Sequence, residues 1–430
     1  MNNDEGLSSQ FTACSWPQRM VLLLAALFPL VSVSVHSGGS IIFTLLVLPA
    51  LFYAWPERNA LDAAEKRWLL AYVLLFVLAA VSLLYVDDLR VGIGKLERYL
   101  RLALLGVIYL FLRRMSVEAG RIFLVGVIAA AFSLGGQAWY QIQVQHQGVA
   151  SGLYHKIVFG DMAVLTFTVM LAAALTVARR PWHYLLLALA MTAALYASLM
   201  SATRGSWLLL PLLALLLAWL YRDRVGRRGW VAAVAGVALL AGAMAFWQPR
   251  VIMAPMSTGV HEIERYLENP KKAGSWGARL EMWGNSIKIW RQNPWFGTGI
   301  GDFQHDSKEL VANGQSKNRL VAREFGHAHS IFFDALASLG AVGLLLLVLA
   351  LFVLPWRHFS RRWREAVLPW ERFYALSGLL TVAAFAEFGL TEGWTSRNPF
   401  VNPYIIYIAV FASSLAVSAA RRVDRRLPAR

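Results

Sequence analysis

A pair of histidines and two arginines are the residues of this chain whose types and spacing could do chemistry. His327 and His329 sit in Glu324–Gly343, EFGHAHSIFFDALASLGAVG, where a polar His-x-His-Ser turns into a long apolar run. Imidazole is the side chain whose ordinary pKa lies nearest neutrality, so a histidine at the edge of a hydrophobic segment suits proton transfer. The bland alternative is that both are polar residues that begin a helix. Arg204 lies in Ser201-Ala-Thr-Arg-Gly-Ser206, a very short turn between two apolar runs, where a cation is costly unless paired or snorkelled to headgroups. Arg279, Trp283 and Ile287 recur at i, i+4 and i+8, which places a cation, a ring and an aliphatic on one helix face.

Guanidinium forks bind phosphate oxygens in a bidentate manner and keep their charge. A histidine can take a proton from an attacking hydroxyl, which is worth a factor of about 10² to 10⁴ in rate. Two arginines and a histidine therefore suit glycosyl or phosphoryl transfer from a lipid pyrophosphate. The histidines are not spaced i, i+4 and no Glu-x-x-His accompanies them, so the spacing does not point to a metal site.

The elements that must position these residues are membrane helices. Of the 430 residues 58% are hydrophobic, 17 are Trp, and the mean hydropathy is +0.51, far above a soluble domain. Apolar segments fall near 20–35, 40–54, 68–85, 99–112, 121–139, 157–178, 181–200, 205–221, 229–247, 330–354, 371–390 and 401–420. Their continuous rather than alternating apolarity predicts an all-α polytopic membrane protein of about twelve spans. The net charge of +16 is explained by topology and anionic headgroups, and no nucleic-acid-binding motif is present. Cys14 is the single cysteine, which excludes an intrachain disulfide.

Placing alternate loops on opposite sides gathers Arg113/Arg114, Arg179/Arg180, Arg227/Arg228, Arg361/Arg362, Arg421/Arg422 and Arg425/Arg426 on one side, expected to be cytoplasmic. The N-terminus lacks the basic start of a removed signal and is expected to be retained, with both termini cytoplasmic. The other side receives the 36–39, 86–98, 140–156, 201–204 and 391–400 connections and one large loop, 248–329. The expected division is thus 1–247 with nine spans, the 248–329 loop domain, and 330–430 with three spans and a tail.

Within the loop, 261–267 predicts a short helix stopped by Asn269-Pro270, and Gly277 to Gln292 a longer one stopped before Pro294. Asn293 to Phe303 predicts a glycine-punctuated turn. It has neither the preceding strand nor the lysine of a nucleotide loop.

His329-Ser330, nine residues, then Gly340-Ala-Val-Gly343 resembles the His-[Asn/Ser/Gln]-x9-Gly-x-x-Gly signature of bacterial O-antigen ligases. Arg204-Gly205 at the start of the eighth span and Arg279, Trp283, Pro294, Gly297 and Gly299 in the loop extend the likeness. The resemblance implies transfer of O-antigen glycan from undecaprenyl pyrophosphate to a sugar hydroxyl of lipid A-core oligosaccharide, at the periplasmic face of the inner membrane, without metal, ATP or another cofactor. It implies His329 as the general base and Arg204 and Arg279 as the pyrophosphate clamp.

A direct displacement would invert the anomeric centre. Other outer-face groups expected to touch donor, acceptor or an arginine are Tyr154, His155, Lys156, Arg323, Glu387 and Glu392. The same superfamily also holds O-antigen polymerases and protein O-oligosaccharyltransferases. A lipid-linked glycan flippase is the reading without chemistry, but it predicts two similar halves with midplane contacts, and one dominant loop with a terminal histidine fits that poorly.

Overall fold

A computed structural model describes residues 14–222, 226, 261–269 and 274–424. These residues are helical, with no strand among them. In chain order the helices are α1 (Trp16–Ser34), α2 (Gly38–Tyr53), α3 (Ala63–Ser82), α4 (Leu89–Ala103), α5 (Leu105–Arg114), α6 (Ala119–Trp139), α7 (Lys156–Thr176), α8 (Pro181–Ser201), α9 (Arg204–Leu220), α10 (261–268), α11 (Ser275–Gln292), α12 (Phe303–Ala312), α13 (Arg319–Glu324), α14 (Ile331–Glu365), α15 (Pro369–Thr391) and α16 (Asn398–Asp424).

Seven of them, α1, α6, α7, α8, α14, α15 and α16, are long and apolar enough to cross a membrane, while α2 and α9 are shorter apolar helices. The expected span at 229–247 lies outside the described residues. One expected connection is a helix instead: 86–98 is not loop, because α4 begins at Leu89, where Asp88 accepts the Val91 N–H at 3.0 Å. Arg90, Lys95, Glu97 and Arg98 break the apolar run there without breaking the helix, whose faces are sharply amphipathic.

The arginine-rich end of the bundle is held by ion pairs. Arg113 and Arg362 converge on the buried Glu65 at 3.0 and 3.7 Å, Arg361 meets Asp62 at 2.5 Å, Arg421 meets Glu118 at 3.5 Å and Arg422 meets Glu371 at 3.0 Å. Three of the expected arginine pairs thus contribute to one end. Arg227/Arg228 and Arg425/Arg426 lie outside the described residues. Asp62 and Glu65 also form a capping box that starts α3, with Asp62 accepting two N–H groups at 2.8 Å and Glu65 accepting the Asp62 N–H at 2.9 Å.

The opposite end carries α10 to α13. Glu281 knits this unit together: Tyr266 of α10, the Ser316 hydroxyl at 2.5 Å and the Lys317 N–H at 3.2 Å all donate to its buried carboxylate. Ala278, Met282, Ile289, Phe303, Leu310 and Val321 form a small core beneath it that also takes in Ala328 and Ala337. This core is modest for independent folding, and the unit leans on α14 for the rest.

That attachment explains the glycine motifs. Gly340 has φ 66° and ψ −166°, a conformation essentially restricted to glycine, and it interrupts α14. The Ala337 and Ser338 carbonyls accept from Thr298 and Gly299 at 3.2 and 2.9 Å, and the Ala341 and Val342 N–H groups donate to Pro294 and Trp295 at 2.9 and 3.2 Å. The loop therefore fills both sides of a break in the helix ladder, with four backbone hydrogen bonds between the two segments. A Cβ at Gly340 would meet Trp295 backbone at 2.4 Å, and one at Gly297, itself at φ 71°, would meet Ser338 backbone at 2.4 Å. The Gly-x-x-Gly and Pro-x-x-Gly-x-Gly segments are two halves of one backbone joint.

Candidate functional site

His329 sits directly before α14 with φ 47°, a left-handed conformation uncommon for a residue with a Cβ. Ser330 starts the helix, and its hydroxyl donates to the Gly389 carbonyl near the end of α15 at 3.1 Å. The serine of the signature is thus a tie between two helices. On the other flank the Trp283 indole donates to the Ala328 carbonyl at 3.1 Å and stacks on Phe333 with ring centroids 5.1 Å apart. The Lys95 ammonium donates to the Gly326 carbonyl at 3.1 Å. Three elements therefore hold the histidine's backbone.

Its ring meets a carboxylate. His329 Nδ1 lies 3.4 Å from Oε2 of Glu392, just past the end of α15, and the Glu392 side chain is 1% exposed. Arg397 Nε lies 3.5 Å from the other carboxylate oxygen. The buried position itself would push the Glu392 pKa up, but His329, Arg397 and His327 together hold it below its ordinary value.

His327 packs beside His329, with ring centroids 4.4 Å apart, and its Nδ1 accepts the His329 backbone N–H at 3.1 Å. Burial, with the neighbouring His329, pushes His327 down to about 4. It stays neutral near pH 7, which suits the acceptor role of its Nδ1.

Arg279 lies on α11 at the flank of that helix's buried face. Its guanidinium donates to the Ser275 hydroxyl at 3.2 Å and lies 5.6 Å over the Trp276 ring, and its Nε is buried without a partner. Burial lowers its pKa, and Glu392 and Glu262 counter that, so the carboxylate that touches His329 also acts on this arginine. Glu262 of α10 accepts the Trp276 N–H at 3.1 Å and acts on both Arg204 and Arg279.

Arg204 is exposed at the start of α9. The adjacent Gly205 faces Thr391, so that a Cβ there would lie 3.0 Å from the Thr391 hydroxyl, one residue from Glu392. The Thr203 hydroxyl donates to the Lys156 carbonyl at 2.8 Å, which draws the α9 start against the start of α7.

His155 caps α7 and lies within the same field, lowered by burial and by Arg397 and raised by Glu392. Glu392 thus contacts His329 and Arg397, has His327 beside it, and acts electrostatically on His155 and Arg279. Lys156 is exposed beside His155, and Arg323 is exposed on α13, where its carbonyl accepts from Gln304 at 2.5 Å. No contact among the described residues joins Arg323 to the Glu392 cluster. Glu387, a turn and a half earlier on α15, is buried with both carboxylate oxygens unpartnered.

Arg397 and the part played by His327 were not read from the sequence. The available signal was an acid and an arginine five residues apart in the short connection between two apolar helices, Glu392 to Arg397.

Two groups could hold a divalent ion among the described residues. Ligand atoms of His327, His329 and Glu392 lie within 4.8 Å of one another, as do those of Asp87, His305 and Asp306. The first set coincides with the candidate site and joins side chains 63 residues apart, which linear spacing does not display.

Residues 187–348 match the family model described as O-antigen ligase, which bears out the resemblance over that segment. The matched stretch contains Arg204, Arg279, His329 and both glycine motifs, while His155, Glu392 and Arg397 lie outside it. An uncharacterized protein of Haemophilus influenzae is 23% identical over 335 residues, covering 76% of this chain and 82% of the relative.

Proposed function

We propose that this membrane protein, matched over residues 187–348 by the O-antigen ligase family, transfers O-antigen glycan from undecaprenyl pyrophosphate to a sugar hydroxyl of lipid A-core oligosaccharide. In this reading the chain crosses the bacterial inner membrane twelve times, with both termini cytoplasmic and α10 to α13 in the periplasm. The observation that carries the reading is the His329–Glu392 contact of 3.4 Å with Arg279 inside the same electrostatic cluster.

The chemistry follows from the atoms that face one another. Glu392 faces the Nδ1 side of His329 at ion-pair distance, which leaves the Nε2 lone pair for the acceptor sugar hydroxyl. As that O–H proton passes to Nε2, the acceptor oxygen forms a bond to the anomeric carbon, and the bond from that carbon to the pyrophosphate oxygen breaks. The imidazolium formed is stabilised by the adjacent carboxylate, and the leaving pyrophosphate takes the electron pair beside Arg279 and Arg204. One displacement inverts the anomeric centre.

Arg397 neutralises the far oxygen of Glu392, so the carboxylate stays ionised through the cycle. His155 and Lys156 sit at the edge of the cluster, where they can meet the second phosphate or the incoming core sugar. Arg323, on the outer surface, suits contact with the anionic acceptor further from the reacting bond.

The test is the lipopolysaccharide profile of a ligase-deficient Gram-negative cell that supplies the cognate O-antigen. Wild type should restore the ladder. His329→Ala, at matched membrane abundance, should leave bare lipid A-core while lipid-linked O-antigen accumulates. A normal ladder in that variant would remove His329 from the chemistry. A polymerase would instead alter chain length without attachment to core, a protein O-oligosaccharyltransferase would glycosylate protein, and a flippase would work without the histidine.

A further inference from the structure

A second polar site lies at the far end of α14, where the transfer chemistry makes no demand. His358 lies 18 residues past the break at Gly340, roughly 27 Å along the helix at about 1.5 Å per residue, close to the thickness of a bilayer's hydrocarbon core. A cleft of about 660 Å³ opens there, lined by residues of α3, α9 and α14.

Its charge is almost wholly positive. Arg67, Arg357 and Arg364 line it and are exposed. Among the described residues Arg357 makes no hydrogen bond or ion pair, and Arg364 makes one hydrogen bond, from its Nε to the Ser360 carbonyl at 3.4 Å. The nearby acids are already engaged: Glu65 by Arg113 and Arg362, Asp62 by Arg361, and Glu365 by Arg361 and Arg362. Trp356 and Trp363 stand in the same wall, and indoles at a helix end mark headgroup depth.

The independent observation is His358. It lines the cleft, its residue is 5% exposed, and neither ring nitrogen has a partner. Its ring stacks on Trp68 at 5.0 Å with an interplanar angle of 27°, which fixes it in place. A buried imidazole with both nitrogens unmet is expensive unless something supplies the missing bond.

We propose that this arginine-rimmed cleft binds a phosphate group, carried by an anionic lipid headgroup or free in solution, with His358 at its floor and Arg357 and Arg364 at its mouth. Arginine forks match phosphate oxygens, and a phosphate oxygen would complete the hydrogen bonding of His358. This site does not depend on the transfer reading.

The full-length protein in detergent would be examined by native mass spectrometry with added phosphatidylglycerol, cardiolipin or phosphatidylcholine, each with and without inorganic pyrophosphate. The variant is Arg357→Ala/Arg364→Ala, whose residues are exposed, and an unchanged thermal midpoint shows that it folds. His358→Gln, which keeps a donor and an acceptor, is compared beside it.

Selective retention of phosphatidylglycerol or cardiolipin, weakened about tenfold or more in the double variant, establishes the site with a lipid as source. Retention of pyrophosphate, lost in the double variant and blind to lipid type, establishes it with free phosphate as source. Equal retention of phosphatidylcholine and phosphatidylglycerol without pyrophosphate binding overturns the proposal, and so does anionic binding that the double variant leaves unchanged.

Discussion

His329 Nδ1 and Glu392 Oε2 stand 3.4 Å apart across the ends of two helices, and the carboxylate is 1% exposed. An imidazole so held should lose its orientation when the carboxylate becomes an amide. Glu392→Gln is expected to lower the transfer rate by about tenfold or more, and His329→Ala by about 10² to 10⁴. In vitro transfer with purified donor and acceptor measures both. If the double variant fell by the product of the single losses, the two residues would be acting independently and the dyad would be wrong.

Arg279 has a different signature. Its fork should favour the pyrophosphate as the leaving group departs, so Arg279→Ala should depress kcat more than it raises KM for the donor. Arg279→Lys keeps the charge but loses the bidentate geometry, and recovery of less than about a tenth of wild-type activity is expected. Full rescue by lysine would reduce the role to simple charge.

A pH experiment isolates His327. Its folded pKa is pushed down to about 4 while an unfolded histidine sits near 6.5, so the unfolded chain binds more protons between these values. Its contribution to stability is therefore complete above pH ~6.5 and is lost as pH falls through 4, by at most about 3 to 4 kcal/mol at 1.36 kcal/mol per unit. Asp306, raised by burial to about 6, acts in the opposite sense in the same window, adding stability at low pH that fades as pH rises through 6. Thermal midpoints of wild type and His327→Asn from pH 4 to 7 should differ in slope by the His327 part alone. Parallel curves would show that His327 is protonated alike in both states.

The His327, His329 and Glu392 ligand atoms are close enough to trap a transition metal, and an imidazole lone pair given to a metal is lost to a hydroxyl proton. Chelation by EDTA should leave the transfer rate unchanged. Added Zn²⁺ should inhibit, with relief by EDTA and reduced sensitivity in His327→Gln. Loss of activity with EDTA, restored by a metal, would instead assign the ion a part in the chemistry.

The backbone joint makes a prediction about stability. Gly340→Ala must place a Cβ within 2.4 Å of Trp295 backbone at a glycine-only conformation, and a loss of about 1 to 3 kcal/mol or more is expected. Thermal unfolding in micelles measures it, with Ala341→Gly as the neighbouring control. An unchanged midpoint would mean that the helix closes its own ladder when the loop is displaced.

The helices were legible wherever a run was continuously apolar, and α6 to α8 and α14 to α16 lie close to the expected segments. The start of α4 at Leu89 was not, because Arg90, Lys95 and Glu97 interrupt apolarity while leaving helix geometry intact. His329 was visible through its boundary position and its spacing to Gly340. The service those glycines perform was hidden, since it requires Pro294–Gly299 to lie against Ala337–Val342, a pairing of backbones that no side-chain pattern records. Arg397 escaped notice for a similar reason: its meaning comes from Glu392, and theirs is a contact of 3.5 Å within an ordinary-looking turn.

The break at Gly340 also redraws where one module ends and the next begins. The first turns of α14 share their hydrogen bonds with the loop, so a cut at residue 330 would sever the four bonds at residues 337, 338, 341 and 342. A chimera that grafts this loop onto a related bundle must carry the chain through Val342 to transplant a folded unit. Specificity exchanged between relatives should travel with that longer cassette, and a shorter swap should yield protein that inserts but does not hold its histidine in place.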